Sequence, residues 1–143
     1  MLIKQLSIFV ENRKGRLAEI TDVIGKVGID IRALSVADTT DFGILRLIVD
    51  QPEAAVVALK EAGVTVSLTD VIAIGLDDAP GSFAKIVAMV SAADMDIEYM
   101  YAFISRKEGT AYIIMRLENA QAGIEVLQKN NVNLISSAEI YGM

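Results

Sequence analysis

Gly15-Arg16-Leu17-Ala18-Glu19-Ile20 and Gly81-Ser82-Phe83-Ala84-Lys85-Ile86 stand 66 residues apart and share one pattern: glycine, a polar residue, a large apolar residue, alanine, a charge and isoleucine. Holding that spacing aligns Val23 with Met89, Ile29 with Met95, Asp30 with Asp96, Ile31 with Ile97 and Gly43 with Gly109. Further on the spacing becomes 68, pairing Leu59 with Leu127, Gly63 with Asn131, Val64 with Val132 and Val66 with Leu134. Chance similarity does not keep register over half a chain, so the sequence reads as a duplication. The repeats fall at 1–69 and 70–143, with two additional residues in the second before its last helix.

Each repeat offers the same six elements. Leu6, Ile8 and Val10 alternate with polar positions, which predicts a strand. The turn Asn12-Arg13-Lys14-Gly15 follows, and then Leu17, Ile20, Ile24 and Val27 recur at helical spacing up to Gly28, a natural stop. Strands are predicted over 29–37 and 44–49. Pro52 at a helix start, a stripe of Ala55, Val56 and Leu59, and Gly63 past the end mark a second helix, and Val64, Val66 and Leu68 open a fourth strand. The second repeat gives 72–76, 83–93, 95–104, 111–117, 120–130 and 132–141 in the same order. The order β-α-β-β-α-β is the split-βαβ plan. The fold class is therefore α+β: two ferredoxin-like βαββαβ repeats, antiparallel sheets with helices on one face. No linker rich in Gly, Pro or Ser separates the repeats. Val64, Val66, Leu68, Ile72, Ile74 and Leu76 instead keep one parity across the junction, which points to a long shared strand or to an exchange of strands.

Composition removes several function classes. Hydrophobic residues make up 53% and charged residues 22%, with a mean hydropathy of +0.46, so core material is ample. No apolar run approaches the roughly 18–20 residues of a membrane span, and Met1-Leu2-Ile3-Lys4-Gln5 lacks the parts of a signal peptide. The expectation is a cytoplasmic protein with no membrane association. A net charge of −6 and a pI near 4.6 oppose nucleic-acid binding, which needs a basic face. The densest run of cations, Arg13-Lys14-Gly15-Arg16, has no aromatic neighbours. The absence of cysteine and histidine removes disulfides, thiolate nucleophiles, Cys/His zinc sites and histidine bases. No catalytic residue, cofactor or metal is expected. Asp77-Asp78 is a weak magnesium signal, and Asp38, Asp41, Asp94 and Asp96 flank turns or strand starts where solvated acids are ordinary.

A sheet with helices on one side is ordinarily polar on the other. In the third strands Leu45, Leu47 and Val49, matched by Ala111, Ile113 and Met115, take the core parity. The opposite parity reads Ile44, Arg46, Ile48 and Tyr112, Ile114, Arg116, too apolar for a wetted face. In the second strands Ile29 and Ile31 share one parity while Leu34 and Val36 take the other, and Ile97 followed by Met100 repeats the switch. A bulge near Arg32 and Glu98 reconciles both. Beyond it the open face carries Ala33, Ser35 and Ala37 in the first repeat but Tyr99, Tyr101 and Phe103 in the second. Such a patch predicts a homodimer through the sheet face, using Tyr99, Tyr101, Phe103, Tyr112 and Ile114. The Tyr-x-Tyr pair could also serve as a stacking platform for RNA bases, which the acidic charge opposes.

Both repeats place glycine where the first strand turns into the first helix: Glu11-Asn12-Arg13-Lys14-Gly15-Arg16-Leu17 and Asp77-Asp78-Ala79-Pro80-Gly81-Ser82-Phe83. Free backbone N–H groups and the helix dipole attract an anion there, and glycine lets a ligand approach the backbone; glycine also serves simply to permit a tight turn. A strand followed by Asp/Asn-x-Pro-Gly-x-Leu/Phe opening a helix, inside a βαββαβ unit of this length, resembles the ACT domain. Asp78-Ala79-Pro80-Gly81-Ser82-Phe83 fits that pattern, and Asn12-Arg13-Lys14-Gly15-Arg16-Leu17 fits with Lys14 in place of proline, which implies a less constrained loop. Gly28-Ile29-Asp30-Ile31 and Asp94-Met95-Asp96-Ile97 resemble the family's approach to the second strand.

The resemblance covers both repeats and implies a regulatory module that binds amino acids where this loop meets the second strand of a neighbouring unit. Matched positions make Asn12, Gly15, Arg16 and Leu17, with Asp78, Gly81, Ser82 and Phe83, the candidate ligand residues, and Ile31 and Ile97 the second-strand side. Arg16 would pair a carboxylate, and Asn12 or Asp78 would receive an ammonium; a solvated cation for Arg16 and a capping or turn role for Asp78 are the plain alternatives. The implied function is a non-catalytic sensor, or a detached regulatory subunit of an amino-acid biosynthetic enzyme carried on a separate chain. A partner-binding module without ligand, or a small ferredoxin-like enzyme working with carboxylates or tyrosines, are the alternatives.

Overall fold

The alternation at Leu6, Ile8 and Val10 becomes strand β1 (Ile3–Glu11), and the helical spacing from Leu17 becomes α1 (Arg16–Lys26). The computed structural model describes residues 1–38, 41–103 and 106–143. After α1 come β2 (Ile31–Asp38), β3 (Phe42–Val49), α2 (Pro52–Glu61) and β4 (Val66–Asp77). The second repeat adds α3 (Ser82–Ala92), β5 (Ile97–Phe103), β6 (Thr110–Leu117), α4 (Ala120–Lys129), β7 (Asn133–Ile135) and α5 (Ser137–Tyr141). The βαββαβ order read from the sequence occurs twice. β4 is a single 12-residue strand that begins in the first repeat and ends in the second.

Two compact units result: Lys4–Thr69 with Ile140–Met143, and Asp70–Glu139 with Met1–Ile3. In the first, the strands run β2-β3-β1, antiparallel, with Leu47 of β3 opposite both Leu6 and Leu34. On the far side of β1, Phe9 N–H donates to the Thr65 carbonyl at 3.0 Å. Ile20 and Ile24 of α1 and Ala55 and Leu59 of α2 bury against Leu6, Ile8, Leu45 and Leu47. Each large apolar side chain so removed from water contributes about 1.5–3 kcal/mol. In the second unit the order is β7-β4-β6-β5, and Ile86 and Val90 of α3 with Ile124 and Leu127 of α4 cover Ile72, Ile74, Met115 and Leu117. Gly123 allows α4 to lie close on its sheet, because a Cβ there would run into Leu117 Cδ1.

The parity switch at Arg32 and Glu98 is a bulge in both repeats: pairing shifts between Ile31 and Ala33 on β3, and between Ile97 and Tyr99 on β6. The bulge arginine is anchored. Arg32 donates to Asp30 Oδ2 at 2.6 Å and to the Tyr141 carbonyl at 3.0 Å, and the Tyr141 hydroxyl accepts from Lys4 N–H at 2.9 Å.

Four expectations change. The final strand predicted over 132–141 is three residues long and gives way to α5, because Ser136-Ser137-Ala138-Glu139 is a capping box. Glu139 N–H donates to Ser136 Oγ at 3.2 Å, and Ser136 Oγ donates to Glu139 Oε1 at 3.4 Å. The two additional residues lie in the β5–β6 turn: Glu11 faces Phe42 while Asp77 faces Thr110, so Gly43 corresponds to Ala111 and not to Gly109. The predicted end of β5, Ile104, lies outside the described residues. Leu34 and Val36 do take the helix-side face, opposite Leu47 and Leu45, yet are 58% and 51% exposed because β2 is an edge strand. Finally, the open faces are not free. Gln5 and Ile48 in the first unit, and Val71, Ala73 and Ile114 in the second, are fully buried within the single chain, and Tyr112 is 8% exposed. Of the five residues expected to form a homodimer contact, Tyr112 and Ile114 are thus already buried within the chain, whereas Tyr99, Tyr101 and Phe103 are half-buried.

Candidate functional site

The two strand-to-helix turns match bond for bond. Arg13 N–H donates to the Glu11 carbonyl at 2.8 Å, Arg16 N–H to Arg13 at 3.3 Å and Glu19 N–H to Gly15 at 3.0 Å. In the second repeat Ala79 bonds Asp77 at 2.9 Å, Ser82 bonds Ala79 at 3.2 Å and Lys85 bonds Gly81 at 3.1 Å. Gly15 has φ 87 and ψ −9, and Gly81 has φ 87 and ψ −12, the left-handed region that glycine alone enters freely. Lys14 thus leaves the same backbone path that Pro80 does. Neither glycine supplies a capping side chain, whereas Asn119 caps α4 by accepting from Ala122 N–H at 3.0 Å. The bonds of the two turns satisfy Arg16, Glu19, Ser82 and Lys85, so among the described residues the N–H groups of Leu17 and Ala18 in α1, and of Phe83 and Ala84 in α3, are the ones without a backbone acceptor and available to an anion.

In the first unit this turn borders a cavity of about 200 Å³ lined by Asn12, Arg13, Gly15 and Leu17 from the turn and by Val36, Asp38 and Gly43 from the adjacent strands. Register explains the assembly: Gly43 faces Val10 on one side and Asp38 on the other, so three neighbouring strands end together. Of the predicted residues, Asn12, Gly15 and Leu17 meet there. Val36, Asp38, Arg13 and Gly43 were missed, because their approach depends on strand order and not on any local pattern. The cavity is smaller than the ~300 Å³ at which sites for drug-sized molecules begin. Its lining has donors for an anion at one end and the carboxylate of Asp38 with the Asn12 amide for a cation.

Arg16 does not join it. Its side chain is 12% exposed, with Nε 2.6 Å from Glu11 Oε2 and Nη1 3.1 Å from Glu19 Oε2. It is neither a free ligand contact nor a solvated cation, but the clamp that ties α1 to the end of β1. The hydrogen bonds it donates to Glu19, and then to Glu11, raise its pKa above the ordinary arginine value. Arg13 Nη2 reaches the same Glu19 at 3.1 Å, and Arg13 first, then Arg16, hold the Glu19 carboxyl below its usual range. A depressed carboxylate adds stability above its ordinary pKa of about 4.3 and loses it as pH falls through the lowered folded value. Glu19→Gln is therefore expected to lower stability modestly at neutral pH, since the pair is half-exposed, and to match the wild type in acid below both values. Urea melts at the two pH values check this; an equal deficit at both would remove the ion pair as the cause.

Phe83 and Leu17 occupy equivalent first-turn positions and both are largely exposed. Asp78 holds its turn through its own N–H, which donates to the Gly109 carbonyl at 2.9 Å. Ser82 follows Gly81 as the first residue of α3. Ile31 and Ile97 sit at the bulges, packed against the cores of their own units. They are not brought to the turn of the same unit. Among the described residues no group of three or more acidic, cysteine or histidine side chains could hold a metal ion, and no helix is long and apolar enough to cross a membrane.

A family model described as an ACT domain pair matches residues 1–143. The crystal structure of a protein from Bacteroides thetaiotaomicron is similar with a TM-score of 0.94 and 42% identity, over 100% of this chain and 98% of that one. The ligand-free regulatory subunit of aspartate kinase from Thermus thermophilus is similar with a TM-score of 0.62 and 18% identity, over 90% of this chain and 93% of that one. The corresponding subunit from Thermus flavus gives 0.59 and 16%, over 90% and 94%. The comparison with curated proteins finds no match.

Proposed function

Because the chain belongs to the family of ACT domain pairs, we propose that it is a non-catalytic regulatory protein that binds a free amino acid where β1 turns into α1. The observation that carries this reading is the uncapped helix start behind a left-handed glycine, present in both repeats and bordered in the first by a charged cavity. The open N–H groups suit an α-carboxylate, and Asp38 and Asn12 suit an α-ammonium. Leu17 and Val36, lining the cavity, and Leu34 on the same face of β2 leave an apolar margin. A neighbouring ACT unit laid against that edge would close the site and cover the margin. Ile31 or Ile97 of such a neighbour would then complete it. The same fold forms a regulatory subunit of aspartate kinase in Thermus thermophilus, and for this chain a separate amino-acid biosynthetic enzyme in the cytoplasm is part of the proposal.

A thermal-shift screen of the full chain against the twenty amino acids tests the reading. A ligand that binds only the native state adds about 2.7 kcal/mol at a hundredfold excess over Kd, roughly 5–10 °C in a chain of this size. One amino acid, or a few related ones, should give such a shift. Silence from all twenty would sink the ligand reading and leave the apolar margin as a contact surface for another protein.

A further inference from the structure

Residues 140–143 follow the second repeat's last strand, yet they pack in the compact unit formed by Lys4–Thr69. Ile140 is fully buried there. The Tyr141 hydroxyl accepts from Lys4 N–H at 2.9 Å, and the Tyr141 carbonyl accepts from Arg32 Nη2 at 3.0 Å. Arg32 is the bulge residue of β2, and its Nη1 also donates to Asp30 Oδ2 at 2.6 Å.

Two features set this contact apart from ordinary packing. In the second repeat the bulge is held from within its own sheet: Glu98 pairs with Arg116 Nε at 3.3 Å, and Arg116 Nη1 donates to the Asp70 carbonyl at 2.7 Å. Arg116 stands opposite Tyr99 on β6, and at the matching place on β3, opposite Ala33, the first repeat has the buried, uncharged Ile48. The first bulge therefore takes its support from residues 140–141 in place of a neighbouring strand. The second feature is that this support is incomplete. The Arg32 side chain is 14% exposed, and its Nε is buried without a hydrogen-bond partner among the described residues. A buried donor left unmet opposes the docked arrangement. The segment itself adds little resistance: α5 has five residues, and helices that short do not persist in water without what they pack on.

We propose that Ile140 and Tyr141 form a latch on the β2 bulge, closed in this structure, whose release loosens the outer strand of the first repeat. β2 is an edge strand paired to β3 alone among the described residues, so the bulge is where its free side is held. Val36 and Asp38, further along β2, line the cavity beside Gly15. The latch thus sets the shape of that cavity, a consequence that rests on the amino-acid reading above.

Hydrogen–deuterium exchange of the full chain, measured by mass spectrometry with no amino acid present, tests the latch whether or not that reading holds. Ile140→Asp, which puts a charge into the buried seat, should speed exchange across 31–38 by at least about tenfold. The matching strand 97–103, held by Arg116, should be unchanged. Coupling is reciprocal, so Arg32→Gln should speed exchange at 137–141 as well as at 31–38 while the seat of Ile140 is intact. Ile140→Ala, a milder change that keeps the fold, should give the same pattern with a smaller rise, and it decides the matter together with Arg32→Gln if Ile140→Asp does not fold. Unchanged exchange across 31–38 in these variants overturns the proposal. So does an equal rise over β1, β3 and 97–103, which would make residues 140–141 a part of the core and not a latch.

Discussion

Leu47→Ala is expected to remove about 2–5 kcal/mol of stability, whereas Leu34→Ala, its direct cross-strand neighbour, should change stability by no more than about 0.5 kcal/mol. Both side chains lie on the helix-side face and pair across β2 and β3. Leu47 is 0% exposed, packed with Leu6, Ile20 and Ile24, so truncation loses transfer energy and leaves a hole that close-packed neighbours fill only in part. Leu34, on the edge strand, has solvent on one side already. Urea denaturation of the two variants gives the comparison directly. If Leu34→Ala cost as much as Leu47→Ala, the β2 edge would be buried in solution, and an assembly through that edge would be the reason.

The same pair shows where the sequence was legible. Side-chain parity in a strand has a period of two, so the face of Leu34 and of Leu47 followed from alternation, and the bulge at Arg32 from the break in it. Burial depends on what covers the face, and β2 being the edge strand of its unit is a property of strand order. For the same reason Asp38 was read as a solvated turn residue. Its place beside the cavity arises because β3 carries Gly43 between Val10 and Asp38, a relation among residues distant in sequence. Gly15 and Gly81 were legible because the repeat displays them twice, and their left-handed dihedrals are a local requirement. α5 was legible and missed: the Ser-x-x-Glu of a capping box stood inside a stretch read as strand.

Gly15→Asp is expected to abolish the amino-acid response of the first repeat while leaving the fold intact. No heavy atom lies within 4 Å of an added Cβ, so the substitution meets no clash. The remaining cost is the left-handed dihedral, about 1–2 kcal/mol for an ordinary residue, and aspartate is among the side chains that enter that region more readily. The new carboxylate would stand at the open N–H groups of α1, accept from them and repel an incoming anion. A weakening of at least tenfold, about 1.4 kcal/mol, should therefore erase the thermal shift near the wild-type Kd. Gly15→Ala separates charge from backbone: it carries a dihedral cost at least as large, with no carboxylate, and should keep most of the response. Equal loss in both variants would show that close approach to the bare glycine backbone matters, and not the anion field. A full response in Gly15→Asp, lost only in Gly81→Asp, would move the amino acid to the second repeat, where Asp78, Ser82 and Phe83 stand in place of Asn12, Arg16 and Leu17.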